Sequence, residues 1–203
     1  MRFAESESWS ISIRSNSQLE LPLWVRAAER IPVPAGGLVP GPLGIDPLPA
    51  PSVPGAGEAL AEGWLAWWRM TLDIHLPPRP KSPEEFVPPP GGPPDFSELA
   101  AHPQLRRVVT ARWPEFRELP SEAMRAALPQ PDPGDRNPDG AVVAAVEAEL
   151  GHRAAPFELQ LLLLPVIDEE IRSLGSHTFL VPTRVYGSEA YKRWLHRLVR
   201  ALA

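Results

Sequence analysis

The chain has 203 residues, with 28 prolines, 14 glycines, no cysteine and a formal net charge of −5. That length can bury a core without covalent staples, and the missing thiols exclude disulfides, thiolate metal centres and cysteine nucleophiles. An acidic balance disfavours a general nucleic-acid binder, which is usually basic.

The charge is unevenly spread. Residues 132–170 hold nine acidic and two basic side chains, a balance of −7, whereas residues 171–203 hold six basic and one acidic, a balance of +5. The longest apolar run, Leu161 to Ile167, is too short to cross a bilayer. The opening MRFAESESWS lacks the apolar region of a secretory signal. These features predict a soluble, cytoplasmic protein with no membrane partner. Arginine outnumbers lysine 18 to 2 amid abundant Ala, Pro and Gly, which points to a GC-rich bacterial genome.

In SWSISIRSNSQLELPLWV the apolar residues alternate twice. Trp9, Ile11 and Ile13 share one face, and Leu19, Leu21, Leu23 and Val25 another, with turn-tolerant residues between. Period-two alternation around such a turn predicts an N-terminal β-hairpin.

Residues 31–57 carry eight prolines but one charged residue, Asp46. Proline forbids helix and removes ladder donors, so the segment should run extended. Its apolar side chains, among them Leu38, Val39, Leu43, Ile45 and Leu48, need a surface to lie on. The segment reads as an apolar wrap over this protein's own sheet or against a protein partner.

Residues 58–76 include GWLAWWRMTL, with three tryptophans in five positions. At 100° per residue Leu60, Trp64, Trp67, Thr71 and Ile74 share a face, flanked by Leu65, Trp68 and Leu72, while Arg69 and Asp73 lie opposite. So wide an apolar stripe predicts a core helix and not a stacking platform, which would interleave its rings with cations. Pro77 and Pro78 stop it. Residues 77–94 add nine more prolines with mixed charge and Gly-Gly punctuation, the composition of a linker.

Short helices should follow. Asp95 and Glu98 have capping-box spacing ahead of FSELAAH. PQLRRVVTAR runs to Trp113, where Pro114 breaks or restarts the helix, Ser121 caps EAMRAAL, and AVVAAVEAEL ends at Gly151. FELQLLLLPVI and HTFLVPTRVY read as a second hairpin around DEEIRSLGS. The first of these strands is apolar on both faces and so needs cover on both. Ser188 then caps a terminal helix that turns Lys192, Arg193, His196, Arg197 and Arg200 outward.

Motifs that carry chemistry are sparse. Asp135, Asn137 and Asp139 match the opening of a calcium loop, but position twelve is Val146 in place of Glu. The Asn-Pro-Asp-Gly run also reads simply as a turn, with Asp139 capping the next helix. Asp168, Glu169, Glu170 and His177 flank the presumed second hairpin and could form an acid–base or metal cluster; the same acids also read as a solvated loop. No cofactor-binding signature is present.

The sequence therefore predicts a single α+β domain over residues 1–203. A small, mostly antiparallel sheet comes from the N- and C-terminal hairpins, packed by the tryptophan-rich helix and the C-terminal helix, with long proline-rich loops. The expected function is a non-enzymatic protein-interaction module such as an adaptor, assembly factor, chaperone or immunity-type protein. Its partner-binding residues would be Leu38, Val39, Leu43, Ile45, Leu48, Lys192, Arg193, Arg197 and Arg200. One alternative is a small metal-dependent or acid–base hydrolase centred on Asp168, Glu169, Glu170 and His177. Another is a nucleic-acid-associated protein using the basic C-terminal helix.

Overall fold

The computed structural model describes residues 2–5, 9–15, 17–45, 47–76, 92–119 and 138–203. The chain forms two compact units. One joins Met1–Asn16 to Arg125–Ala203, and the other is Ser17–Met124. Strands and helices are segregated along the chain, as in the α+β class.

The first unit is built on a five-stranded sheet. Its strands are β1 (Arg2–Glu5), β2 (Trp9–Ser15), β3 (Phe157–Leu164), β4 (Arg172–Ser173) and β5 (Thr178–Pro182), in spatial order β1-β2-β3-β5-β4. The sheet is mixed and not mostly antiparallel. Only its edge pairs, β1 with β2 and β4 with β5, are antiparallel, while β2 with β3 and β3 with β5 are parallel. The second predicted hairpin is thus a parallel pair, and the thirteen residues between β3 and β5 carry the chain back to the same end. A crossover of about a dozen residues is what a parallel pair requires.

Helices α4 (Pro138–Leu150) and α5 (Glu189–Leu202) pack on one face of this sheet. Register explains that face. Ile11 pairs with Leu159, Ile13 with Leu161, and Leu161 with Phe179, and all join one core with Val142, Val143, Val146, Tyr191, Leu195 and Val199. Trp9 stacks on its register partner Phe157 at 6.1 Å. Leu162, Leu164 and Leu180, on the opposite face, are buried as well, consistent with the doubly apolar reading of β3. Gly151 ends α4 at φ 74°, a conformation that favours glycine. The Ser188 side chain caps α5 by accepting from the Tyr191 amide at 3.2 Å.

The second unit is helical: α1 (Ser17–Ala28), α2 (Gly57–Asp73) and α3 (Pro103–Glu118), with a 3-10 turn at Ser97–Leu99. Residues 19–25, read as a strand from their alternation, lie in α1. Leu19 through Val25 are all buried there, Glu20 included, so this helix is buried around its circumference and alternation does not report its period. The tryptophan segment is α2. Leu60, Trp64, Trp67, Trp68, Thr71 and Leu72 are buried, as its stripe requires, while Ile74, just past the last turn, is exposed. Trp64 and Trp68 stack at 5.8 Å, and the Trp64 indole N–H donates to the Pro22 carbonyl of α1 at 2.7 Å. This helix builds the core of the helical unit with α1 and α3. Asp95 and Glu98 do not form a capping box: Phe96 precedes the 3-10 turn and no side chain caps it. Helix α3 continues through Pro114 to Glu118. The predicted EAMRAAL helix and residues 77–91 of the linker lie outside the described residues.

Residues 31–57 lie against the helices of their own unit through polar anchors. The Arg26 guanidinium donates to the carbonyls of Val33 and Pro40 at 2.6 and 2.8 Å. The Trp68 indole donates to the Leu38 carbonyl at 2.9 Å. Near the end of the segment, Ser52 donates to the Glu29 carboxylate through its amide and its hydroxyl, and Arg112 donates to the Ala50 carbonyl.

Candidate functional site

The structure distributes the predicted site residues over several places. Of the apolar set in the wrap, Leu43 is buried, Val39, Ile45 and Leu48 are half-buried, and Leu38 is 39% exposed. Extended backbone pinned by side chains from all three helices brings some of these residues into the core and leaves others at the surface.

Asp168 and Glu170 converge on one cation. Asp168 Oδ2 and Glu170 Oε2 lie 2.7 and 2.8 Å from the same Arg172 guanidinium nitrogen, and Arg172 is itself buried. The Glu170 amide donates back to Asp168 Oδ1 at 2.9 Å. Glu169 is exposed and lies 3.9 Å from Arg184. His177 is exposed, and its backbone carbonyl accepts from the Gln160 amide. Among the described residues, no group of three or more His, Cys, Asp or Glu side chains could hold a metal ion.

Asp135 and Asn137 lie outside the described residues. Asp139 is 1% exposed and sits in the first turn of α4, where a carboxylate favours the positive end of the helix. It accepts from the hydroxyls of Tyr186, at 2.8 Å, and Tyr191. These are the only two tyrosines in the chain. Burial, followed by the neighbouring Asp139, holds the Tyr191 phenol far above its usual range, so it stays a donor. The motif reading takes Asp139 as a metal ligand or cap and does not pair it with Tyr191. The signal that could have joined them is two tyrosines spaced to meet one buried carboxylate.

The basic residues of α5 form a more open arrangement with α4. A groove of about 480 Å³ runs between the two helices. From α4 come Pro138, Ala141, Val142 and Ala145, at the i, i+3, i+4, i+7 spacing of a single helix face. From α5 come Lys192, Arg193, His196 and Arg197. Small side chains on one wall keep the floor shallow and apolar, while the other wall is cationic. Among the described residues, no acidic side chain lines the groove. Lys192 pairs with Glu189 at 3.3 Å, and His196 meets Glu149 at 3.0 Å. Arg193 and Arg197 are exposed and make no ion pair with any described residue. Arg200 is exposed one turn further along α5. Sequence reasoning identified the cations but not the alanine-lined wall opposite them, because α4 and α5 are far apart in the chain.

No protein-family model, curated protein or solved structure matches the chain. No helix among the described residues is long and apolar enough to cross a membrane.

Proposed function

We propose that this chain is a non-enzymatic protein-interaction module whose α4–α5 groove receives an acidic segment of a partner protein. The observation that carries the proposal is the pairing of an apolar alanine floor with a cationic wall in which Arg193 and Arg197 have no counter-charge among the described residues. Apolar contact would supply affinity, and the arginines would supply register and orientation, since rim charges steer and select more than they bind. A helix laid into the groove would place apolar anchors on Ala141 and Ala145 and acids toward α5. The hydrolase alternative has less support, because Asp168 and Glu170 are occupied by Arg172.

The test is site-directed photocrosslinking. A photoreactive residue at Ala145 of the full chain is activated in native extract, and the crosslinked species are sequenced. The proposal expects one acidic partner segment, whose capture falls when Arg193→Glu and Arg197→Glu are introduced together. Capture that ignores those charges would sink it. Crosslinks to nucleic acid that vanish steeply with salt would transfer the groove to the nucleic-acid reading.

A further inference from the structure

The helical unit contains a second cavity, of about 110 Å³, walled by residues of α1, α2 and α3 and by the segment around the 3-10 turn. Its walls include Trp67, Met70, Ile74, Phe96 and Trp113, with Glu98 among them. The three aromatic rings are set edge to face: Trp67 with Phe96 at 6.5 Å and 81°, Phe96 with Trp113 at 5.9 Å and 78°. Phe96 holds this place at φ 47°, a left-handed conformation costly for an aromatic residue, and its ring is fully buried. Packing around the cavity thus overrides a local backbone preference.

The polar feature of the cavity is Glu98. Its Oε2 is shielded from solvent and has no hydrogen-bond partner among the described residues. A shielded carboxyl oxygen without a donor is costly, and such groups in native structures call for an explanation. Among the described residues, no basic side chain lines the cavity. Asp95 adds negative potential nearby; Arg106 opposes it from outside the lining, with its Nε donated to the Asp95 carbonyl.

An aromatic-walled cavity whose described lining holds one carboxyl and no cation is chemically complementary to a positive, weakly hydrated group. Ring faces attract cations through their quadrupole, and alkylated ammonium ions are the ligands such cages take. The volume suits one small headgroup, free or at the tip of a side chain, and not a length of peptide backbone. We propose that this cavity binds a small alkylated ammonium ion, with the aromatic rings enclosing its alkyl groups and the Glu98 carboxylate facing its charge.

The test uses the full chain and calorimetric titration with choline, against 3,3-dimethyl-1-butanol as its uncharged isostere. A peptide carrying trimethyllysine forms a separate arm, which distinguishes a free headgroup from a modified side chain. Saturable binding of choline or the peptide is expected, at least about tenfold tighter than the isostere, as a desolvated cation–π contact of ~2 kcal/mol implies. Glu98→Gln and Trp113→Leu should each weaken binding several-fold. Equal binding of cation and isostere, no saturation by either cation, or an unchanged affinity in folded Glu98→Gln would overturn the proposal. If Glu98→Gln does not fold, the isostere comparison on the unaltered chain decides.

Discussion

Arg112 Nε donates to Glu29 Oε1 at 2.6 Å, joining α3 to the residue that follows α1 across 83 positions of chain. Glu29 is almost wholly buried and also accepts from the Ser52 amide and hydroxyl, while Arg112 reaches the Ala50 carbonyl and Glu115. This pair therefore fixes the end of the proline-rich segment as well as two helices. Arg112→Ala would leave the Glu29 charge buried without its main partner, a loss expected to cost about 3–5 kcal/mol. Denaturant unfolding measures that cost. In amide hydrogen exchange, Ser52 should be protected in the native chain and should exchange faster in Glu29→Ala, while the Gly36 and Val39 amides, bonded to one another's carbonyls at 3.0 Å, keep their protection. Fast exchange at Ser52 in the native chain would contradict the clamp.

Asp139 and the two tyrosines bind the start of α4 to the start of α5 and to the turn before it. Tyr191→Phe removes one donor to a buried carboxyl group, expected to cost about 1.5–3 kcal/mol. The high-pH behaviour follows from the direction of the Tyr191 shift. Its folded pKa is raised, so the unfolded chain loses this proton first, near the ordinary phenol value of ~10. The native state binds more protons above that point, and stability falls as pH rises. Unfolding midpoints between neutral pH and pH 11 should therefore drop for the native chain and drop less for Tyr191→Phe. Parallel curves would show that Tyr191 is not shielded as described.

The elements legible in the sequence are those with a local signature. The α2 stripe, the Ser188 cap and the Gly151 stop each depend on neighbours within a few residues. The strands β2, β3 and β5 were also visible through alternation and apolar runs. Their pairing was not, because parallel partners such as Ile11 and Leu159 are separated by most of the chain and nothing local encodes that register. Helix α1 was misread for a different reason. A helix buried all round, with Glu20 and Pro22 also inside, shows no 3.6-residue contrast, and its leucines happen to alternate. The same distinction governs the sites. The cations of α5 share one helix and could be read directly, whereas the alanine wall facing them and the partners of Asp139 exist only after folding.

The indole of Trp64 offers a way to separate apolar burial from hydrogen bonding in the helical core. The side chain is fully buried, bonded to the Pro22 carbonyl, and has the Arg26 guanidinium 5.2 Å from its ring centroid. Trp64→Phe keeps an aromatic ring but loses the N–H and some volume. The lost indole hydrogen bond and the space left should together cost about 2–4 kcal/mol. Trp113→Phe, at a half-buried ring with no such bond among the described residues, should cost less. Denaturant midpoints of the two variants test this order, and equal losses would mean that the indole bond contributes little.

Glu98 makes a prediction in mild acid that does not depend on any ligand. Burial is the main influence raising its carboxyl above the ordinary range; Asp95 adds to the shift, while a backbone hydrogen bond and Arg106 oppose it. A carboxyl with a raised folded pKa is protonated more readily in the native state than in the unfolded chain. Its contribution to stability is therefore fully present below the ordinary carboxyl range and is lost as pH rises through the window just above it. Glu98→Gln cannot titrate, so the stability difference between variant and native chain should shift in favour of the variant as pH rises from about 4 toward neutrality. Chemical denaturation at a series of pH values measures that difference. A gap that stays constant with pH would mean that the Glu98 carboxyl titrates as it does in the unfolded chain, and the cavity would lose the shielded charge that distinguishes it from an ordinary packing defect.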